Sequence, residues 1–254
     1  SDLYQIGDKV CAHQGWQTHI KSKDTEPSLF KVPNSDIPLS SYLGTVGMPG
    51  RTAYFGFNKV GKPVSGETVV VSAASGAVGT VVGQLAKLQG CRVIGVAGGD
   101  EKCSYVKDVL GFDECVDYKA GNVMDDLKNA CPNGIDIYFE NVGGEVTRAV
   151  APLLNAGARV PICGFISQYN AKDMFAVETP FNVLGALDPK PEHRFFVVTE
   201  WMNEWKEATA LLSNLISEDK LTYKETITEG FENAPQALRD VLTGKNFGKQ
   251  LIKI

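Results

Sequence analysis

Apolar residues along this chain follow two alternating rhythms. Val69, Val70 and Val71 form a continuous apolar run, as in a strand buried on both faces of a parallel sheet. Past Gly79, Val81, Val82, Leu85, Ala86 and Leu88 recur at spacings of three and four, which is helical. The exchange then repeats. Arg92–Ala97 predicts a second strand, followed by a helix that Asp100 caps and that carries Cys103, Val106, Val109 and Leu110. Strands are predicted over 114–118, 135–140, 158–163 and 195–198. Helices are predicted over 122–130 and through Val146, Val150, Leu153 and Leu154. Six strands separated by helices predict an α/β fold of the doubly wound, parallel kind.

The flanks read differently. Residues 7–12 predict a turn and a short strand, residues 16–20 have strand character, and Pro27, Pro33 and Pro38 punctuate the stretch up to residue 40. A helix opened by Pro49 is expected within 43–57. Beyond the sheet, Met202, Trp205, Ala208, Leu211, Leu212, Leu215 and Ile216 mark one amphipathic helix. A strand over 221–228, a helix over 233–243 and a strand over 250–254 complete the chain. The last strands are expected to pair with the opening residues as the rim of a second, smaller domain.

Composition narrows the function classes. With 254 residues, 43% hydrophobic and 22% charged, the chain is ordinary globular protein. A net charge of −5 argues against nucleic acid or an anionic membrane as partner. No apolar run reaches the length of a membrane span, and a cytoplasmic protein is expected. The six cysteines contain no Cys-x-x-Cys pair, and none of the three histidines stands at ligand spacing from a cysteine. Free thiols and no metal site are expected.

The stretch between the first strand and its helix, Ser72 to Gly79, holds no side chain larger than valine. Ala74, Gly76 and Gly79 occupy the positions of a Gly-x-Gly-x-x-Gly fingerprint, with its first glycine replaced. A strand before and a helix after supply the setting in which a dinucleotide pyrophosphate meets helix-terminal N–H groups. A second glycine pattern, over 56–62, starts like a P-loop, but Pro63 replaces the required hydroxyl residue and the segment precedes its strand. After the second strand, where an NAD site places an acid, the chain has Gly98 and Gly99, then Lys102. That favours a 2′-phosphate, hence NADPH. Tyr118, Asn141 and residues 163–169 come after the third, fourth and fifth strands, at the end of the sheet where such folds bind ligands. No Tyr-x-x-x-Lys pair and no Gly-x-Ser-x-Gly elbow occur. Hydride transfer to a carbon–carbon double bond conjugated to a carbonyl needs neither, nor a metal. Tyr42, Tyr54 and Tyr169 are conceivable donors to the carbonyl oxygen, packing being their ordinary role, and no catalytic residue is assigned.

Residues 43–50 (Leu-Gly-Thr-Val-Gly-Met-Pro-Gly), 73–79, 90–93, 140–144 (Glu-Asn-Val-Gly-Gly), 162–164, 230–233 and 246–249 (Asn-Phe-Gly-Lys) together resemble the zinc-free medium-chain dehydrogenase/reductases. Within them the chain is most similar to the prostaglandin reductase (leukotriene B4 12-hydroxydehydrogenase) group and its bacterial NADPH-dependent curcumin reductases. The resemblance implies a Rossmann domain over 45–219 and, in 1–44 and 220–254, the remnant of a GroES-like β domain. It also implies NADPH, an α,β-unsaturated ketone or aldehyde as small-molecule substrate, and a homodimer. Cofactor roles are implied for Gly76, Ala77, Val78, Gly79, Lys102, Tyr118, Asn141, Cys163, Gly164, Phe165, Ile166, Ser167, Gln168, Tyr169, Phe196, Val197, Val198 and Asn246, with Met48 and Thr52 near the nicotinamide. Relatives carry a longer N-terminal stretch that forms most of the barrel, so a shortened form is expected. Residues 171–192 depart from their proline-rich wording. Quinone reduction, a non-catalytic NADPH-binding module and an assembly role through exposed strand edges stand as alternatives.

Overall fold

The computed structural model describes residues 2–173 and 176–254; Met174 and Phe175, in the 171–192 loop, lie outside the described residues. The chain opens with a two-stranded antiparallel ladder, β1 (Val10–Cys11) and β2 (Phe30–Lys31). Residues 16–20 do not form the expected strand. Trp16 and Ile20 are both exposed, so alternation there has no face to bury. Helix α1 (Met48–Phe55) carries Pro49 in its first turn, where the missing N–H costs nothing, and continues into a wider-wound turn over Gly56–Gly61.

The sheet unit then runs β3 (Thr68–Ser72), α2 (Gly79–Leu88), β4 (Arg92–Ala97), α3 (Asp100–Ser104), β5 (Glu114–Asp117), α4 (Val123–Ala130), β6 (Ile135–Phe139), α5 (Gly144–Val150), β7 (Leu154–Ile162), α6 (Pro180–Gly185) and β8 (Glu192–Phe195). All six strands are parallel, in the order β5-β4-β3-β6-β7-β8. Val69 and Val71 pack on one face with Val81, Val82 and Leu85 of α2, while Val70 packs on the other with Leu127 and Val150. Each of the three valines is fully buried. Burial of that kind stabilises by about 1.5–3 kcal/mol per side chain, so the carboxyl end of β3 is rigidly placed.

Two sheet boundaries differ from expectation. Leu154 belongs to β7, not to the preceding helix, because the turn Ala151–Leu153 with Pro152 ends that helix early. Strand β8 stops at Phe195, so Phe196, Val197 and Val198 are not its continuation. Phe196 turns into the core over Gly56, where its ring would stand 2.2 Å from any added Cβ. The Glu200 carboxylate accepts the Val197 N–H at 2.9 Å and opens a helical turn there.

The chain closes with α7 (Trp205–Ser217), β9 (Glu225–Glu229), α8 (Ala234–Leu242) and β10 (Lys249–Lys253). Strands β9 and β10 pair in parallel with each other, and neither pairs with the opening strands as expected. The chain entering β10 is instead held by the central sheet unit. Gly248 forms a parallel bridge with Gly76 and donates its N–H to the Ser75 carbonyl at 3.1 Å.

Candidate functional site

Strand order reverses between β3 and β6, and a cleft opens at their carboxyl ends, the ligand position in open α/β sheets. Leaving β3, the chain turns through Ala73, whose φ of 50° lies in the left-handed region. The Gly76 N–H returns to the Ala73 carbonyl at 2.9 Å. That carbonyl sits 2.3 Å from where a Cβ on Gly79 would be, so only glycine lets α2 begin so close to the turn. Ala74, at the replaced fingerprint position, points its methyl group at Gly95 of β4 and is wholly buried. Among the described residues, the N–H group of Val78 has no backbone acceptor. It stands at the positive end of a helix dipole and fits an anion.

On one side of this turn lies Lys102. Its ammonium donates to the carbonyls of Gly244 at 2.8 Å and Asn246 at 2.7 Å, which leaves one N–H for a ligand. Burial first, and the charge of Lys119 second, push its pKa down. Asp100 does not cap α3 as expected. The cap position belongs to Gly99, at φ 94°, and its N–H is taken by the Asp117 carboxylate at 2.8 Å. Glycine fits that backbone and aspartate does not. The Tyr118 ring lies against Gly98, and any Cβ there would come within 2.7 Å of it.

On the other side lies Asn141. Its side-chain amide donates to the Ser72 carbonyl, and its backbone N–H to the Ser72 hydroxyl, each at 2.8 Å. Beneath it Glu140 is fully buried. Its carboxylate accepts the N–H groups of Val142 at 2.7 Å and Gly143 at 2.9 Å, and the hydroxyls of Ser72 and Thr147. The Glu140 carbonyl accepts the N–H groups of Cys163 and Gly164 at 2.8 and 3.2 Å. Burial first, and then Glu140, push the Cys163 thiol up to about 12. The Tyr169 hydroxyl stands 2.6 Å from where a Cβ on Gly164 would be.

The cleft measures about 760 Å³, within the range of cofactor sites. It brings together Gly76, Ala77, Val78, Gly79, Lys102, Tyr118, Asn141, Cys163, Gly164, Ile166, Ser167, Tyr169 and Asn246. Phe165 and Gln168 lie behind the wall: Phe165 packs into the core, and the Gln168 amide is tied to the Glu178 carbonyl. Met48, Thr52, Phe196, Val197 and Val198 stand outside the lining. Sequence reasoning missed Trp16 and the apolar face of α8 (Ala234, Ala237, Leu238, Val241) as further walls. The amphipathic α8 was legible as a helix, but nothing local says what its face meets. It also missed Glu140, whose polar type at a strand end reads as surface.

The residues fit a phosphorylated dinucleotide, with an anion donor at the turn and a partly free lysine where an acid would repel a 2′-phosphate. Among the described residues, no group of three or more His, Cys, Asp or Glu side chains could hold a metal ion, and no helix is long and apolar enough to cross a membrane.

Residues 77–214 match the zinc-binding dehydrogenase family. The chain is 46% identical to the NADPH-dependent curcumin reductase of Escherichia coli, over 99% of its own length and 73% of that enzyme's. It is 44% identical to prostaglandin reductase 1 of Rattus norvegicus, over 100% of its length and 77% of the relative's. The crystal structure of CurA from Vibrio vulnificus in complex with NADPH superposes with a TM-score of 0.85 at 43% identity, covering 98% of this chain and 74% of that one. This chain belongs to the zinc-binding dehydrogenase family and, within it, to the zinc-independent medium-chain reductases.

Proposed function

We propose that this member of the zinc-independent medium-chain reductases binds NADPH and reduces the double bond of α,β-unsaturated ketones and aldehydes. When bound, NADPH supplies hydride to the β-carbon while the conjugated carbonyl oxygen takes up the displaced electron pair; the α-carbon then takes a proton. One observation carries the reading: Lys102 lines the cleft with one N–H to spare, just after Gly98 and Gly99.

The turn from Ser75 to Gly79 receives the pyrophosphate through the Val78 N–H at the start of α2. Lys102, steadied by two carbonyls, reads the 2′-phosphate, and Asn246 supports it through one of them. Tyr118 and the α8 face flank the adenine. Asn141, Cys163, Gly164, Ile166, Ser167 and Tyr169 wall the nicotinamide half, with Phe165 and Gln168 bracing that loop from behind. Met48 and Thr52 approach the nicotinamide from α1. Phe196, Val197 and Val198 hold the chain where it leaves β8. Residues 45–219 form the cofactor domain, and 1–44 with 220–254 are the remnant of a GroES-like domain, whose α8 and Asn246 also wall the adenine end of the cleft. A cytoplasmic homodimer completes the reading; the six free thiols accord with a reducing compartment.

Calorimetric titration with NADPH and NADH, then mixing with a 2-alkenal while reduced nicotinamide is followed by absorbance, tests this. Tighter NADPH binding and alkenal-dependent oxidation are expected. No binding of NADPH or NADP⁺, or a preference for NADH, overturns the cofactor assignment. Binding without oxidation overturns the reductase and leaves a cofactor module.

A further inference from the structure

Glu140 is a fully buried carboxylate at the carboxyl end of β6, and none of its partners is a cation. Two backbone N–H groups and two hydroxyls donate to it. Neutral donors of this kind stabilise the ionised form without cancelling its charge. A fold that needed only to tie the loop after β6 could do so with a neutral acceptor and avoid the cost of burying a charge. The charge also lies next to the cleft. Asn141 and Val142, the two residues after Glu140, line it, and so do Cys163 and Gly164, whose N–H groups bond the Glu140 carbonyl. Its field reaches that wall, since it contributes to the raised pKa of the Cys163 thiol.

The two forms of the cofactor differ in charge at one place: the nicotinamide ring is cationic in NADP⁺ and neutral in NADPH. We infer that Glu140 is a positioning residue of electrostatic kind, whose uncancelled negative charge beneath the nicotinamide half of the cleft favours NADP⁺ over NADPH and so makes the bound cofactor a stronger hydride donor. This rests on the proposed cofactor reading. For charges on the order of 10 Å apart at an effective dielectric of about 20, the bias amounts to about tenfold in relative affinity.

The test compares dissociation constants for NADP⁺ and NADPH, by calorimetry, in the wild type and in Glu140→Gln and Glu140→Asp, with thermal melting to check folding. In Glu140→Gln the ratio Kd(NADP⁺)/Kd(NADPH) is expected to rise about tenfold. A role confined to holding the loop would weaken both forms together and leave the ratio unchanged, which overturns the inference. Glu140→Asp keeps the charge on a shorter stem, so its ratio is expected to stay within about twofold of wild type. If Glu140→Gln does not fold, the wild type decides: a Kd(NADP⁺)/Kd(NADPH) ratio clearly below one supports the charge, and a ratio of one or above defeats it. Failure of the wild type to bind either form condemns the cofactor reading instead, so the two failures are distinguishable.

Discussion

The two ends of the cleft are built as opposites. At one end Lys102 holds a cation on two carbonyls, half-buried and with a donor left over. At the other, Glu140 holds an anion on N–H and hydroxyl donors, sealed from solvent and fully engaged. A charge that faces the cleft with spare valence recognises by contact, whereas a sealed one acts only through its field. The difference teaches that charge alone does not mark a binding residue. What matters is whether a donor or acceptor remains for the ligand.

Between the two ends lies the turn at Gly79, and disturbing it is the harshest way to test the comparison. In Gly79→Val the new Cβ meets the Ala73 carbonyl at 2.3 Å, so the turn must open. We expect NADPH affinity to fall by about 100-fold or more and stability by about 2–3 kcal/mol, read by calorimetry and urea denaturation. Lys102→Met should act at one end alone. Preference for NADPH over NADH is expected to drop by about 10- to 100-fold, the worth of a charge-assisted hydrogen bond, with NADH affinity held. An equal loss for both nucleotides would place the lysine away from the 2′-phosphate.

The pH dependence of that preference gives a smaller and finer test. Burial lowers the Lys102 pKa, so its charge is lost as pH rises, before an ordinary lysine would discharge. NADPH preference is therefore full at neutral pH and declines on the alkaline side. Binding there takes up a proton, visible as a buffer-dependent calorimetric heat. The smallest effect is expected at Ala73. Ala73→Gly relieves a left-handed backbone and should stabilise the protein by about 0.5–1 kcal/mol, measured as a rise in melting temperature.

These features were unevenly legible in the sequence. The passage from β3 through the turn to α2 could be read because the apolar period changes from continuous to helical across a few small residues, and β4 was bounded as Arg92–Ala97. Lys102 could be found by counting past the glycines to the second strand's end. Strand β8 misled because 195–198 is apolar throughout, while Phe196 actually fills the space that Gly56 leaves open, a contact remote in sequence. Asp100 misled because a good capping residue stands next to a glycine that alone tolerates the required φ. Glu140 and the α8 wall escaped for one reason: each takes its meaning from groups brought to it only by the finished fold.

The bridge from Gly248 to Gly76 has a consequence for how the molecule is made. A ribosome delivers the phosphate turn before the segment that clasps Lys102 and that turn. Until residues 244–248 emerge, the turn lacks its bridge and Lys102 lacks both of its carbonyl partners. Occupancy thus depends on two segments far apart in the chain, the phosphate turn and the stretch that clasps it.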